Sequence, residues 1–157
     1  MRYQDFIIRR EDAPRILSGS DRRLSPREFA QGLIAILAVW AVFEILSLLP
    51  VVGPGISILG LLVSIALAYF WVCVYAKRFH DAGRSGWLTL AVAAIALLVT
   101  WGVNYGLGPL LGGPAPSLAA GSQDLREAYI LQTLVIGLII NAALGFAVYS
   151  LPRKPVD

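Results

Sequence analysis

The chain has 157 residues, 57% of them hydrophobic and 15% charged, with a formal net charge of +3. Soluble domains hold about 45–50% apolar and about 25% charged residues, and the mean hydropathy of +0.71 argues against that class. The basic excess flanks apolar blocks and carries no nucleic-acid motif, so it speaks of membrane topology and of no nucleic-acid partner.

A membrane-crossing helix needs about 20 predominantly apolar residues. Four windows qualify: residues 29–49, 56–76, 87–103 and 128–151. A soluble bundle would keep a polar face on each helix, and the second and third windows have almost none. The expected fold is all-α, an integral membrane four-helix bundle. Residues 1–24 form a cytoplasmic N-terminal segment and residues 25–157 a four-span transmembrane domain.

The N-terminal segment is too long and too polar for a cleavable signal, so the first span is expected to act as a retained anchor. It carries two apolar patches, Phe6-Ile7-Ile8 and Ile16-Leu17. Pro14 and Gly19 interrupt any continuous helix. Its arginines suit a position on anionic headgroups; the other reading is a loose tail that only enforces topology. Ser25-Pro26-Arg27-Glu28 then reads as a helix start, with Ser25 and Glu28 as a capping box and Pro26 at the first helical position.

Pro50-Val51-Val52-Gly53-Pro54-Gly55 is a tight turn that makes the first two spans a hairpin. In the second span Gly60, Ser64 and Ala68, four residues apart, permit close helix contact. Cys73 reads as a small packing residue. Tyr69, Trp71 and Tyr75 suit the membrane interface, and Lys77-Arg78 marks its boundary. Gly83 is the expected helix stop, Ser85 the cap of the third helix and Trp87 its interfacial anchor. The loop 105–123 is rich in glycine and proline, and Asp124-Leu125-Arg126-Glu127 can cap the fourth helix. There Gly137, Asn141 and Gly145 share one face, and Pro152 ends it.

Twelve basic residues fall on one side of this arrangement: seven before the first span, Lys77, Arg78 and Arg84 between the second and third, and Arg153 and Lys154 after the fourth. Only Arg126 falls on the other. The bias places both termini and the central loop in the cytoplasm.

Polar groups within spans are functional candidates. Glu44 lies roughly 24 Å along its helix from Glu28. Thr100, Asn104, Gln132 and Thr133 reach similar depths, so a polar cluster around Glu44 is expected. It serves either an ion path or a locally bonded carboxyl group. Asn141 lies nearer the cytoplasm and reads as a helix–helix contact or, less simply, a substrate contact.

The densest stretch is Lys77-Arg78-Phe79-His80-Asp81-Ala82-Gly83-Arg84-Ser85-Gly86-Trp87. Lys77 and Arg78 can pair with Asp81 at spacings of four and three. The group suits either a lipid phosphate or a lock between helix ends. It lacks the register of a hydrolase elbow and the ligand count of a metal site. Residues Arg78, His80, Asp81, Gly83, Arg84, Ser85, Gly86 and Trp87 resemble the signature of domain-of-unknown-function family 805, small bacterial inner-membrane proteins. Ser25 to Phe29 is similar to that family's start of the first helix, with Pro26 in place of a basic residue. Asn104-Tyr105-Gly106 with Pro109 echoes its tail without the arginine. The resemblance covers roughly residues 23–109 and implies location and architecture, not a reaction.

With no catalytic set, nucleotide loop or cofactor site, the expected function is non-enzymatic: an accessory, scaffold or assembly subunit of a membrane complex. Its partners are the lipid bilayer and either another membrane protein or a second copy. Two alternatives stand beside it. One is a small oligomeric transporter or channel using Glu44. The other is an anionic-lipid or phosphate site at the cytoplasmic Arg78–Arg84 loop.

Overall fold

Ser25 opens the first long helix by the expected capping box: its hydroxyl accepts from the Glu28 N–H, and Glu28 Oε2 accepts from the Ser25 N–H at 2.9 Å. The computed structural model describes residues 10–18, 23–49, 54–107 and 123–153. Its elements are α1 (Ala13–Leu17), α2 (Pro26–Ser47), α3 (Pro54–Asp81), α4 (Leu88–Gly102), a π-helical turn (Val103–Leu107) and α5 (Gln123–Tyr149). No strand occurs among the described residues. Four helices are long and apolar enough to cross a membrane, and together they form an all-α four-helix membrane fold.

α2 packs most extensively, against α3 on one side and α5 on the other, while α4 leans mainly on α5. Glycine makes the α2–α5 approach possible. A Cβ on Gly137 would fall 2.4 Å from the Trp40 ring, and one on Gly145 would fall 2.3 Å from Leu33. Outward surfaces are apolar along their length, with Ile65, Leu97, Leu98, Ile139 and Phe146 all well exposed. In a bilayer such surface meets lipid, and the packing between helices is won by close backbone approach.

The helix of the second span outlasts its apolar window and ends at the expected stop, just before Gly83: α3 runs on to Asp81, so Lys77–Asp81 are helical, and only Ala82 to Trp87 form the connection. None of Lys77, Arg78, Phe79 or His80 breaks a helix, and the chain turns only where Gly83 adopts φ 69°. Tyr75 is not an interfacial anchor. It is fully buried, stacked on Trp71 at 4.0 Å and edge-on to Phe29 at 5.1 Å. Ser85 does not cap the third helix from its own position, since α4 starts at Leu88 after Trp87. A tighter turn comes first, in which Leu88 and Thr89 N–H groups donate to the Ser85 and Gly86 carbonyls, and the Ser85 hydroxyl accepts from Trp87 N–H at 3.3 Å.

The described part of the N-terminal segment is packed on the bundle and is not loose. Ile16 and Leu24 are buried in the same core as Phe29, Val74 and Phe79. Phe6-Ile7-Ile8, Gly19, the turn at 50–53 and loop positions 108–122 lie outside the described residues.

Gly137→Ala should destabilise the bundle by about 1–3 kcal/mol, because the Trp40 ring must shift. Gly102→Ala, with nothing within 4 Å of its Cβ, should be neutral or stabilising by up to about 1 kcal/mol. Thermal unfolding of both variants in one detergent checks the contrast.

Candidate functional site

The last turn of α3 carries five successive residues, Lys77 to Asp81, and four of them are buried. Gly83 closes that turn. Arg84 N–H donates to the Phe79 carbonyl at 2.8 Å and Gly83 N–H to the His80 carbonyl at 3.0 Å. This is a Schellman termination, which needs a left-handed residue at its turning point.

Lys77 and Arg78 point away from this turn toward different helix ends. Lys77 Nζ donates to the Arg15 (2.6 Å), Ile16 (3.0 Å) and Ser18 (2.6 Å) carbonyls, at the end of α1. Arg78 Nη2 donates to the Tyr149 carbonyl at 3.0 Å and to that of Leu151, at the end of α5. Its Nη1 donates to Asp81 Oδ2 at 2.7 Å. Asp81 also accepts from Arg153 Nε, at 3.3 and 3.1 Å. Side chains of Lys77, Arg78 and Asp81 are thus held inside, at 1%, 0% and 4% residue exposure. Buried charge is costly unless paired or hydrogen-bonded: Arg78 and Asp81 pair with each other and Lys77 is met by three carbonyls, while Arg78 Nε stays without a hydrogen-bond partner among the described residues.

A second link fastens the N-terminal segment. Arg15 donates to Glu28, the carboxylate that also completes the cap of α2. That hydrogen bond raises the Arg15 guanidinium above its ordinary range.

The remaining signature residues divide into packing and surface. His80 lies against Gly86, where a Cβ would fall 2.7 Å from Nε2, so a larger residue there would push the His80 ring aside. Arg84 is exposed, with no partner among the described residues. Trp87, three residues further on, is 78% exposed.

The intramembrane residues lie apart from this site and from one another. Glu44 Oε1 accepts from the indole of Trp40, one turn earlier on its own helix, at 3.0 Å. The polar cluster forms around Asn104 instead. Its amide accepts from Gln132 (3.3 Å) and Thr133 (3.4 Å) and donates to the Thr100 carbonyl. A tryptophan four residues away satisfies Glu44 locally, so the carboxylate has no need to reach another helix. Asn141 joins helices: it accepts from Trp71 Nε1 at 3.0 Å and donates to the Gly137 carbonyl. Among the described residues no three His, Cys, Asp or Glu side chains gather as a metal set.

Sequence reasoning found the Arg78–Asp81 pair but assigned Lys77 to the same carboxylate. It missed the carbonyl acceptors and Arg153. Backbone carbonyls leave no mark in a sequence, and the 72-residue separation of Asp81 and Arg153 hides that pair.

The signature, its helix-ending turn and its place between the second and third spans coincide with a known family. The chain matches Protein of unknown function (DUF805) over residues 19–117. It belongs to the DUF805 family. No curated protein and no solved structure matched the chain. In this DUF805 member the match takes in α2, α3, α4 and their connections, whereas the Arg78 acceptors on α5 lie beyond it.

Arg78→Gln should cost about 3–5 kcal/mol, since Asp81 and two carbonyls lose a buried cationic partner. Lys77→Met should release α1 first. Limited proteolysis between residues 10 and 24 should accelerate while the four spans stay folded. Gly83→Ala should cost about 1–2 kcal/mol through its left-handed backbone. Thermal unfolding and timed proteolysis in detergent separate these three effects.

Proposed function

We propose that this DUF805 protein is a non-enzymatic accessory or scaffold subunit of a larger membrane complex. It sits in a bacterial inner membrane with both termini and the α3–α4 connection in the cytoplasm. One observation carries the reading. Lys77, Arg78 and Asp81 are spent on joining helix ends, while Arg84 and Trp87 are left facing outward at the same end of the bundle. Arginine and tryptophan are among the residue types that dominate the energetics of protein–protein contacts.

Catalysis at the signature is disfavoured by Asp81, whose two oxygens are both engaged by arginines. A general base must be able to reach a substrate proton. Transport through Glu44 finds little support in a carboxylate bonded to its own helix. A two-arginine phosphate site loses one member, because Arg78 is buried and occupied. The partition of basic residues, twelve against one, supports the orientation.

Gentle detergent extraction at natural expression level, followed by native mass measurement, should return the chain with a stoichiometric foreign membrane protein. Arg84→Glu with Trp87→Ala should release that partner without lowering the unfolding temperature. Solute turnover or flux by the protein alone in liposomes would overturn the proposal. For the orientation, Arg84→Cys in a Cys73→Ser background should react with an impermeant maleimide only from the cytoplasmic side.

A further inference from the structure

Tyr75 is fully buried, yet its hydroxyl has no hydrogen-bond partner among the described residues. The ring accounts for itself, stacked on Trp71 and edge-on to Phe29. A phenylalanine would keep both contacts and would avoid an unpaired buried hydroxyl, which is destabilising. The oxygen therefore calls for a partner from outside the chain.

The hydroxyl is aimed at a groove between α2 and α5. A Cβ on Gly145 would lie 3.7 Å from the hydroxyl and 2.3 Å from Leu33 Cδ2, so the three meet over bare backbone. Leu33 and Gly145 line the groove together with Phe29, Leu37, Phe146 and Tyr149. We propose that this groove holds a membrane phospholipid by a glycerol-ester carbonyl, which accepts from the Tyr75 hydroxyl once the Leu33 side chain turns aside. The claim stands apart from the accessory-subunit reading and uses none of its residues.

Chemistry selects the occupant. A buried water needs roughly two to four polar partners. The side chains that line the groove are apolar apart from Tyr149, one turn nearer the helix end. A partner helix has its backbone carbonyls bonded to its own N–H groups inside a membrane. A diacyl phospholipid brings ester carbonyls, which are acceptors with no donor of their own, on chains that suit an apolar groove.

Depth agrees. α5 has 27 residues, about 40 Å of helix, which matches a bilayer of about 40–45 Å with its headgroup layers. Its ends therefore reach the headgroups. The hydrocarbon edge lies roughly 5–7 Å inside that surface. Gly145 lies about 6 Å inside Tyr149, at four residues' distance. Ester linkages join headgroup to chains at that edge, so the carbonyl and the hydroxyl share one level.

The test uses the full chain, freed of co-purified lipid by detergent exchange. Two phosphatidylcholines of equal chain length are titrated in, one ester-linked and one ether-linked without the carbonyl, and bound lipid is counted by native mass measurement. The ester form should bind about two- to tenfold more tightly, the range of one neutral hydrogen bond. Tyr75→Phe should abolish that preference and leave ether-lipid binding as it was. Free of lipid, Tyr75→Phe should unfold at the same temperature as the parent or higher, because an unpaired oxygen has gone. Equal binding of the two lipids by the parent would overturn the proposal, as would a preference that survives Tyr75→Phe. A lower unfolding temperature for the lipid-free variant would overturn it too, by showing that the chain itself partners the hydroxyl.

Discussion

Two adjacent cations at the end of α3, each donating to carbonyls at the end of another helix, hold the bundle together at one end. A helix leaves its last four carbonyls without partners, and at a membrane boundary those groups must be met or hydrated. Successive helix residues point about 100° apart, so Lys77 and Arg78 serve opposite neighbours. Three ammonium donors meet three α1-end carbonyls, and Arg78 divides its fork between α5 and Asp81. The two side chains are not interchangeable. A compact ammonium suits a ring of carbonyls, whereas only a planar guanidinium spans a carboxylate and two backbone groups at once.

The rest of the signature follows from these contacts. Asp81 must sit three residues after Arg78 to lie beside it on the helix. Gly83 must end the helix immediately, so that the chain turns before α4. Gly86, lacking a Cβ, leaves room for the His80 ring where it stands. Arg84 and Trp87 take no part in these contacts and face outward, and they carry the functional proposal. The opposite end of the bundle is built more economically, from Asn104, Gln132 and Thr133 bonding across α4 and α5.

Hydropathy alone made the four spans legible, because a bilayer demands length and apolarity and little else. The cap at Ser25 and the stop at Gly83 were legible because local chemistry decides them. The Ile16-Leu17 patch was visible in the sequence, but only tertiary packing shows that Ile16, with Leu24, belongs to the core. Glu44 misled for a related reason. Depth estimates compare residues on different helices, whereas the nearest donor, Trp40, was on its own.

The order in which a ribosome makes the chain gives Arg78 a peculiar history. Its acceptors at Tyr149 and Leu151 are 71 and 73 residues downstream, so they do not exist when the first hairpin enters the membrane. Lys77 is different: its acceptors near Ile16 are made 61 residues before it. One half of the clamp can therefore close as soon as α3 emerges, and the other waits for the final helix. Until α5 is made, Asp81 is the one acidic partner that Arg78 has to hand. Placing that carboxylate three residues from the arginine keeps the charge neutralised during assembly and leaves both Nη2 hydrogens for the last span to claim.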